Sequence, residues 1–303
     1  MALTVIGGSN FVGRFLLSSL ASSYPELRLG DMYPYRSSVY RLQEALGSVK
    51  VTKHALSHPT SLKLALAGAS HAVVVTHDYF KLAHSKNFLL EKTAFMAKDL
   101  GVPKLTVVAP LELTQLNPLD GDPAKLVSAS EAKAKSHYPG LSILRTNLIF
   151  GQNCQSLLIQ HALDRLCIGK APVYARDGIS KFQPVHESDL LSAFLALQPG
   201  QDVTLAGPEV LSWAEVVAVL KKHANAADVS VGGALESLRS AIATNSLIGD
   251  LLWPSQLQQL YRLLEKDQVP APTKTGVKKL AEVYTPNAYA PVLPKAWHRV
   301  ILD

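Results

Sequence analysis

The chain has 303 residues, of which 48% are hydrophobic and 18% are charged, and its formal net charge is +6. These values are typical of a globular protein with one large α/β core and a smaller cap, and they exclude a disordered chain. No apolar run reaches the length of about 18 residues that a membrane-spanning helix needs. The basic residues form no dense stripe interleaved with aromatic residues, so we expect no nucleic-acid partner.

The first twenty residues predict a strand, a glycine turn and a helix. Leu3–Ile6 is the strand, and Gly7 permits a tight turn before a helix whose Gly13 lies close to the sheet. The positive end of that helix would face a bound anion. Asn10 stands where the middle glycine of a Gly-x-x-Gly-x-x-Gly series would lie. Asparagine tolerates a left-handed backbone, but we expect its side chain to crowd a pyrophosphate.

The second predicted strand, 26–31, ends in an acid. Asp31 lies 18 residues after Gly13, near the spacing at which a carboxylate meets an adenosine ribose. Arg36 follows and would suit the 2′-phosphate of NADP instead. The two residues therefore leave the choice between NAD and NADP open, and Asp31 has the alternative of a simple turn-capping role.

The next segments alternate between strands and helices. Strands are predicted at 49–52, 71–77, 104–109 and 141–150, and helices at 59–67 and 85–100. The apolar runs suit strands that are buried on both faces of a sheet. The pattern predicts an α/β fold with a doubly wound parallel Rossmann sheet.

The rhythm changes after Gly151. We divide the chain into a nucleotide-binding Rossmann core, 1–151, and a smaller, mostly helical cap region, 152–303, that completes the same fold. The second part holds a predicted helix near 156–167, a late strand at 203–206, and a capping box, Ser212 to Glu215, that begins another helix.

Ligands of an open α/β sheet bind beyond the carboxyl ends of its strands. The predicted cofactor-binding residues at that edge are Gly7, Gly8, Ser9, Asn10, Phe11, Val12, Asp31, Arg36, Leu56, Thr76, His77 and Ala109. Five histidines fall between His54 and His84, but their spacing is not that of metal ligands, and the two cysteines lack zinc spacing. We therefore expect no metal site.

Three stretches carry a resemblance to a known superfamily. Residues 5–14 (VIGGSNFVGR), 101–107 (GVPKLTV) and 144–151 (LRTNLIFG) resemble the atypical short-chain dehydrogenases/reductases. The resemblance implies a nicotinamide dinucleotide, and catalysis in that superfamily uses a Tyr-x-x-x-Lys pair and a serine. Pro123, Val127 and Ala109 stand at the matching positions here, so the usual catalytic residues are absent.

A narrower resemblance is to the short-chain-dehydrogenase-like accessory subunits of mitochondrial respiratory complex I. It rests on residues 181–185 (KFQPV), the Gly207-Pro208 turn, the tail from 267 to 286, and Glu131. It implies a non-catalytic subunit that holds NADPH, or NAD(H), as a structural element. The implied partners are other subunits of a large respiratory complex, with contact to anionic lipid at the membrane surface. The implied location is the matrix side of the mitochondrial inner membrane, although no transit peptide is visible.

Two other functions stay open at this point. One is an active atypical reductase, isomerase or epimerase with an unconventional acid, either His77 or Tyr79. The other is a regulatory protein that senses the dinucleotide through a partner. Turnover of the nucleotide distinguishes the first of these from the non-catalytic hypotheses.

Overall fold

The computed structural model describes residues 1–8, 10–31, 46, 50–56, 59–76, 83–111, 123–151, 156, 158–159, 162–163, 166, 172, 178–223, 267, 269 and 274–275. The strands in this part of the chain are β1 (Ala2–Ile6), β2 (Glu26–Asp31), β3 (Lys50–Ala55), β4 (Ala69–Val75), β5 (Leu105–Pro110), β6 (Ser142–Thr146), β7 (Ile149–Phe150), β8 (Lys181–Phe182), β9 (Val185–His186), β10 (Asp202–Ala206), β11 (Leu211–Ser212) and β12 (Lys274–Thr275). The α-helices there are α1 (Phe11–Leu20), α2 (Pro59–Leu66), α3 (Ala83–Asp99), α4 (Pro123–His137), α5 (Glu187–Ala196) and α6 (Trp213–His223).

Eight of these strands form one sheet in the order β12-β10-β6-β5-β4-β1-β2-β3, and every neighbouring pair is parallel. The chain adds β2 and β3 on one side of β1, then returns to add β4, β5 and β6 on the other. The strand order therefore reverses beside β1, and a crevice forms there at the carboxyl ends. The predicted doubly wound parallel α/β sheet is confirmed.

The sheet is buried on both faces, which explains the near-continuous apolar strands. Leu3 and Val5 belong to one apolar cluster, with α1, α5 and α6, whereas Ile6 belongs to another, with α2, α3 and α4. Six of the seven residues of β4 are buried, and the exception is Ser70. No helix in the described residues is long and apolar enough to cross a membrane.

Two local predictions compare directly with the structure. The stretch 141–150 is two strands rather than one, because the Oδ1 of Asn147 accepts the N–H of Leu148 at 2.7 Å and β7 then pairs with β9. The capping box before α6 is confirmed. Ser212 N donates to Glu215 Oε2 at 2.7 Å, and Glu215 N donates to Ser212 Oγ at 3.2 Å.

The other predicted elements are present, with ends that differ from the prediction by at most three residues. Strands β10 and β12 come from the second part of the chain and extend the sheet beyond β6. The predicted helix near 156–167 lies largely outside the described residues. The division at residue 151 stays a prediction.

Candidate functional site

The turn between β1 and α1 depends on its glycines. Gly7 has a φ of +79°, and a Cβ there would lie 2.5 Å from the carbonyl oxygen of Val75. Its N–H donates to Gly30 O at 2.7 Å, which ties the turn to β2. A Cβ at Gly13 would lie 2.6 Å from the Cα of Gly8, so the first turn of α1 touches the backbone of the loop.

Asn10 is the N-cap of α1. Its backbone is extended, with φ −76° and ψ 169°, so it does not use the left-handed conformation that asparagine tolerates. The side-chain Oδ1 accepts the N–H of Gly13 at 2.7 Å, as an N-cap asparagine does. Sequence reasoning treated Asn10 only as a replaced glycine, although an asparagine directly before an apolar helical stretch is itself a capping signal.

The amide nitrogen of Asn10 is buried and has no hydrogen-bond partner among the described residues. A buried donor without an acceptor is unfavourable, and such groups are often found where a ligand supplies the missing partner. The turn therefore has a tight glycine backbone, a helix amino end and an unsatisfied donor in one place. This combination fits the phosphate of a dinucleotide.

The residues at the end of β2 lie beside this turn. Leu56 N donates to Asp31 O at 2.8 Å, and the Leu56 side chain lies 3.4 Å from where a Cβ at Gly30 would be. Asp31 is the last residue of its strand. The structure therefore brings the predicted ribose-binding carboxylate and Leu56 to the edge that holds the glycine turn.

The other predicted residues divide into four groups. Thr76 directly follows β4, Ala109 is the second-last residue of the adjacent β5, and Thr76 N donates to Val108 O at 3.0 Å. The side chains of Phe11 and Val12 are buried in the apolar core, so they are not available to contact a ligand. Gly8 packs against Leu29, while Ser9, Arg36 and His77 lie outside the described residues.

The structure also shows where the residues lie that stand in place of the usual catalytic ones. Pro123 and Val127 lie on α4, and Ala109 lies on β5 directly opposite Arg145 of β6. One helical turn after Val127, Glu131 forms an ion pair with Arg145. Burial raises the pKa of the Glu131 carboxyl, and the guanidinium of Arg145 opposes that shift. Sequence reasoning noted Glu131 but missed this partner, which lies 14 residues away on a strand.

A metal centre is not evident in the part of the chain that the structure describes, where no group of three or more histidine, cysteine, aspartate or glutamate residues is placed to hold an ion. His54 lies on β3, and its Nε2 is buried without a partner there. Burial lowers the pKa of His54, and the nearby charge of Arg28 lowers it further. This histidine is therefore held mainly neutral.

Comparison with solved structures finds proteins with a similar fold. The chain is similar to dTDP-glucose 4,6-dehydratase of Streptomyces venezuelae with NAD bound, at 18% identity and a TM-score of 0.59, covering 75% of this chain and 82% of that one. It is similar to UDP-glucose 4-epimerase of Thermus thermophilus with NAD, at 14% identity and a TM-score of 0.59, covering 75% and 84%. A third is UDP-glucuronic acid 4-epimerase of Bacillus cereus with NAD, at 15% identity and a TM-score of 0.61, covering 76% and 85%. The shared fold is the Rossmann fold.

No protein-family model matches the sequence, and no curated protein matches it either. The Rossmann-fold proteins named above are NAD-bound dehydratases and epimerases, which supports the expected NAD(H) cofactor. They overturn the prediction of a non-catalytic accessory subunit of complex I, and with it the prediction that the chain is no enzyme. Partner subunits, contact with anionic lipid and a mitochondrial location stay untested predictions.

Proposed function

We propose that this protein is an NAD-dependent enzyme of the atypical short-chain dehydrogenase/reductase class. The observation that carries the proposal is the turn before α1, where Gly7 and Gly13 bring the backbone of the loop close to the helix amino end and the buried Nδ2 of Asn10 has no partner among the described residues. When bound, the nicotinamide supplies a hydride acceptor for oxidation of a carbinol carbon. In this proposal the residues of the turn before α1 hold the cofactor beside β1, where the strand order reverses, and they form one wall of the binding site.

The proposed cofactor is NAD rather than NADP. Asp31 places a carboxylate at the end of β2, where it suits the free 2′-hydroxyl of an adenosine ribose. The 2′-phosphate of NADP would bring a second negative charge to the same place, and like charges repel strongly where solvent is partly excluded. The NAD-bound relatives in fold support the same choice.

The proposed substrates are nucleotide-linked sugars. The solved structures with this fold act on dTDP-glucose, UDP-glucose and UDP-glucuronic acid, and the similarity extends over three quarters of the chain. It therefore includes part of the region after residue 151, which supports a substrate-binding role for that region. A transient oxidation of a sugar hydroxyl is the step that such epimerisation and dehydration have in common.

Proton transfer needs a residue outside the usual set. Removal of a hydride from a carbinol carbon is coupled to loss of the hydroxyl proton to a base. Ala109, Pro123 and Val127 offer no titratable group. In the sequence, His77 comes two residues after Val75, the last residue of β4, and Tyr79 follows two residues later. We propose that one of these two side chains accepts the proton.

Product analysis tests the proposed reaction. The full chain is incubated with NAD and, separately, with UDP-glucose, UDP-glucuronic acid and dTDP-glucose, and products are identified by liquid chromatography with mass spectrometry and NMR. We expect NAD-dependent conversion of at least one sugar, lost in either His77→Ala or Tyr79→Phe. Tight NAD binding without conversion of any of these sugars would contradict the proposed enzymatic activity and favour a dinucleotide-sensing role.

A further inference from the structure

The side-chain oxygen and nitrogen of Asn10 differ in their hydrogen bonding. Its Oδ1 is committed to the N–H of Gly13 at 2.7 Å, and only an oxygen satisfies that donor. This bond fixes which end of the amide is the nitrogen and prevents free rotation of the group. The nitrogen is then held in a defined place, buried, with no partner among the described residues.

The position of that nitrogen is on the β4 side of the turn. The point that a Gly7 Cβ would occupy lies 2.5 Å from Val75 O and 3.7 Å from the Asn10 Nδ2. Val75 is the last residue of β4, so the amide lies at the crevice between β1 and β4. A dinucleotide bound at the reversal of strand order crosses this crevice with its pyrophosphate at the helix amino end.

We propose that the side-chain amide of Asn10 donates a hydrogen bond to the pyrophosphate of the bound dinucleotide. This inference rests on the proposed function, since it assigns a role within the same site. A glycine at position 10 would offer the ligand backbone alone, whereas this chain adds a side-chain donor that its own fold leaves unsatisfied. The expected crowding of the ligand by Asn10 is thereby replaced by attraction.

The serine variant separates the two roles of the residue. Asn10→Ser keeps an N-cap oxygen for Gly13, because serine caps helices about as well as asparagine, but it removes the amide. We expect the ligand-free melting temperature to stay close to that of the wild type. The dissociation constants of NAD and of ADP-ribose should rise about tenfold, which is the typical effect of losing a hydrogen bond to a charged group. Adenosine has no phosphate, so its affinity should be the same for the wild type and for Asn10→Ser. A competition titration measures that affinity.

Two more variants make the test sharper. Asn10→Asp keeps the cap and places a carboxylate near the phosphates, so NAD should bind more weakly than to the serine variant while the ligand-free protein stays folded. Asn10→Gly removes cap and donor with a small effect on helix stability. Weaker NAD binding by the glycine variant supports donation, whereas tighter binding shows that the side chain only crowds the ligand.

Isothermal titration calorimetry of the full chain gives the dissociation constants, and thermal unfolding gives the ligand-free melting temperatures. NAD binding by Asn10→Ser that equals or exceeds wild-type binding would overturn this inference and leave the proposed function standing. A wild-type chain that binds no NAD would overturn both. A tenfold loss with ADP-ribose and no change with adenosine establishes the role of the amide.

Discussion

The Nε2 of His71 lies 3.0 Å from the Oγ1 of Thr106, in the buried middle of the sheet. Its Nδ1 lies 3.3 Å from the hydroxyl of Tyr24, and its ring stacks on Phe194 at a centroid distance of 5.4 Å. Burial lowers the pKa of His71 to about 3, and the charge of Lys104 acts in the same direction. The imidazole is therefore neutral in the folded protein.

This histidine predicts sensitivity to acid. Below its ordinary pKa of about 6.5 the unfolded chain binds a proton that the folded chain does not, so stability falls as the pH drops from there towards 3. We expect His71 to lower the free energy of unfolding by about 2 kcal/mol between pH 7 and pH 5. Urea unfolding at the two pH values measures it.

A matched variant identifies the source of the loss. His71→Leu should have a smaller difference in unfolding free energy between the two pH values than the wild type. His137→Gln should change that difference much less, because solvent screens the contact of the half-exposed His137 with Glu91. An unchanged pH dependence in His71→Leu would show that another group is responsible.

The ion pair between Glu131 and Arg145 predicts a second pH effect. Arg145→Met leaves the largely buried Glu131 carboxylate without its partner, which should destabilise the fold by about 3 kcal/mol at pH 7. Burial then raises the pKa of Glu131 above its unfolded value, so the variant should regain part of its stability as the pH falls to 5. Chemical unfolding at both pH values measures this.

Lys135 supplies the control for that experiment. Its Nζ lies 2.7 Å from Asp202, but both side chains are half-exposed to solvent. Lys135→Met should therefore cost less than about 1 kcal/mol, with a smaller pH dependence than Arg145→Met, because Lys135 acts on the pKa of Glu131 less than Arg145 does. Equal losses in the two variants would contradict a special role for the buried pair.

Glycine substitutions test the turn. Gly7→Ala combines a left-handed backbone with a Cβ placed 2.5 Å from Val75 O, and we expect a loss of about 3 kcal/mol together with loss of NAD binding. Gly68→Ala has a similar φ of +68° but nothing within 4 Å of its Cβ, so only the strain of about 1 kcal/mol applies. Thermal unfolding and calorimetry with NAD measure both effects. A Gly7→Ala chain that binds NAD normally would refute the placement of the site.

The choice between cofactors tests Asp31. Asp31→Ser removes the carboxylate at the end of β2. The ratio of the affinity for NADP to the affinity for NAD should therefore rise by about tenfold or more. Asp99→Ser, at the end of α3, removes a charge elsewhere and serves as the control. Preference for NADP in the wild type would assign the ribose site to Arg36 instead.

The sequence predicted best what depends on local pattern. Val73, Val74 and Val75 lie in an unbroken apolar run because both faces of β4 are covered, and such a run is visible without a structure. The glycine turn was visible for the same reason, since Gly7 and Gly13 mark backbone positions that other residues cannot occupy.

Contacts between distant residues were not visible. His71 meets Tyr24 and Thr106 at separations of 47 and 35 residues, and Arg145 meets Glu131 only because α4 folds back onto the sheet. The capping role of Asn10, by contrast, is local, and it was missed because the residue was compared only with the glycine it replaces. The prediction of a non-catalytic protein failed for a different reason, because the loss of residue types at three positions does not determine what the rest of the site does.

Calorimetric titration of the purified full chain with NAD, beside Gly7→Ala and Gly68→Ala, is the most direct measurement. The glycine turn predicts one NAD per chain for the wild type and for Gly68→Ala, and no binding for Gly7→Ala. No heat of binding with the folded wild-type chain, or equal binding by all three proteins, would contradict a dinucleotide site at the turn before α1.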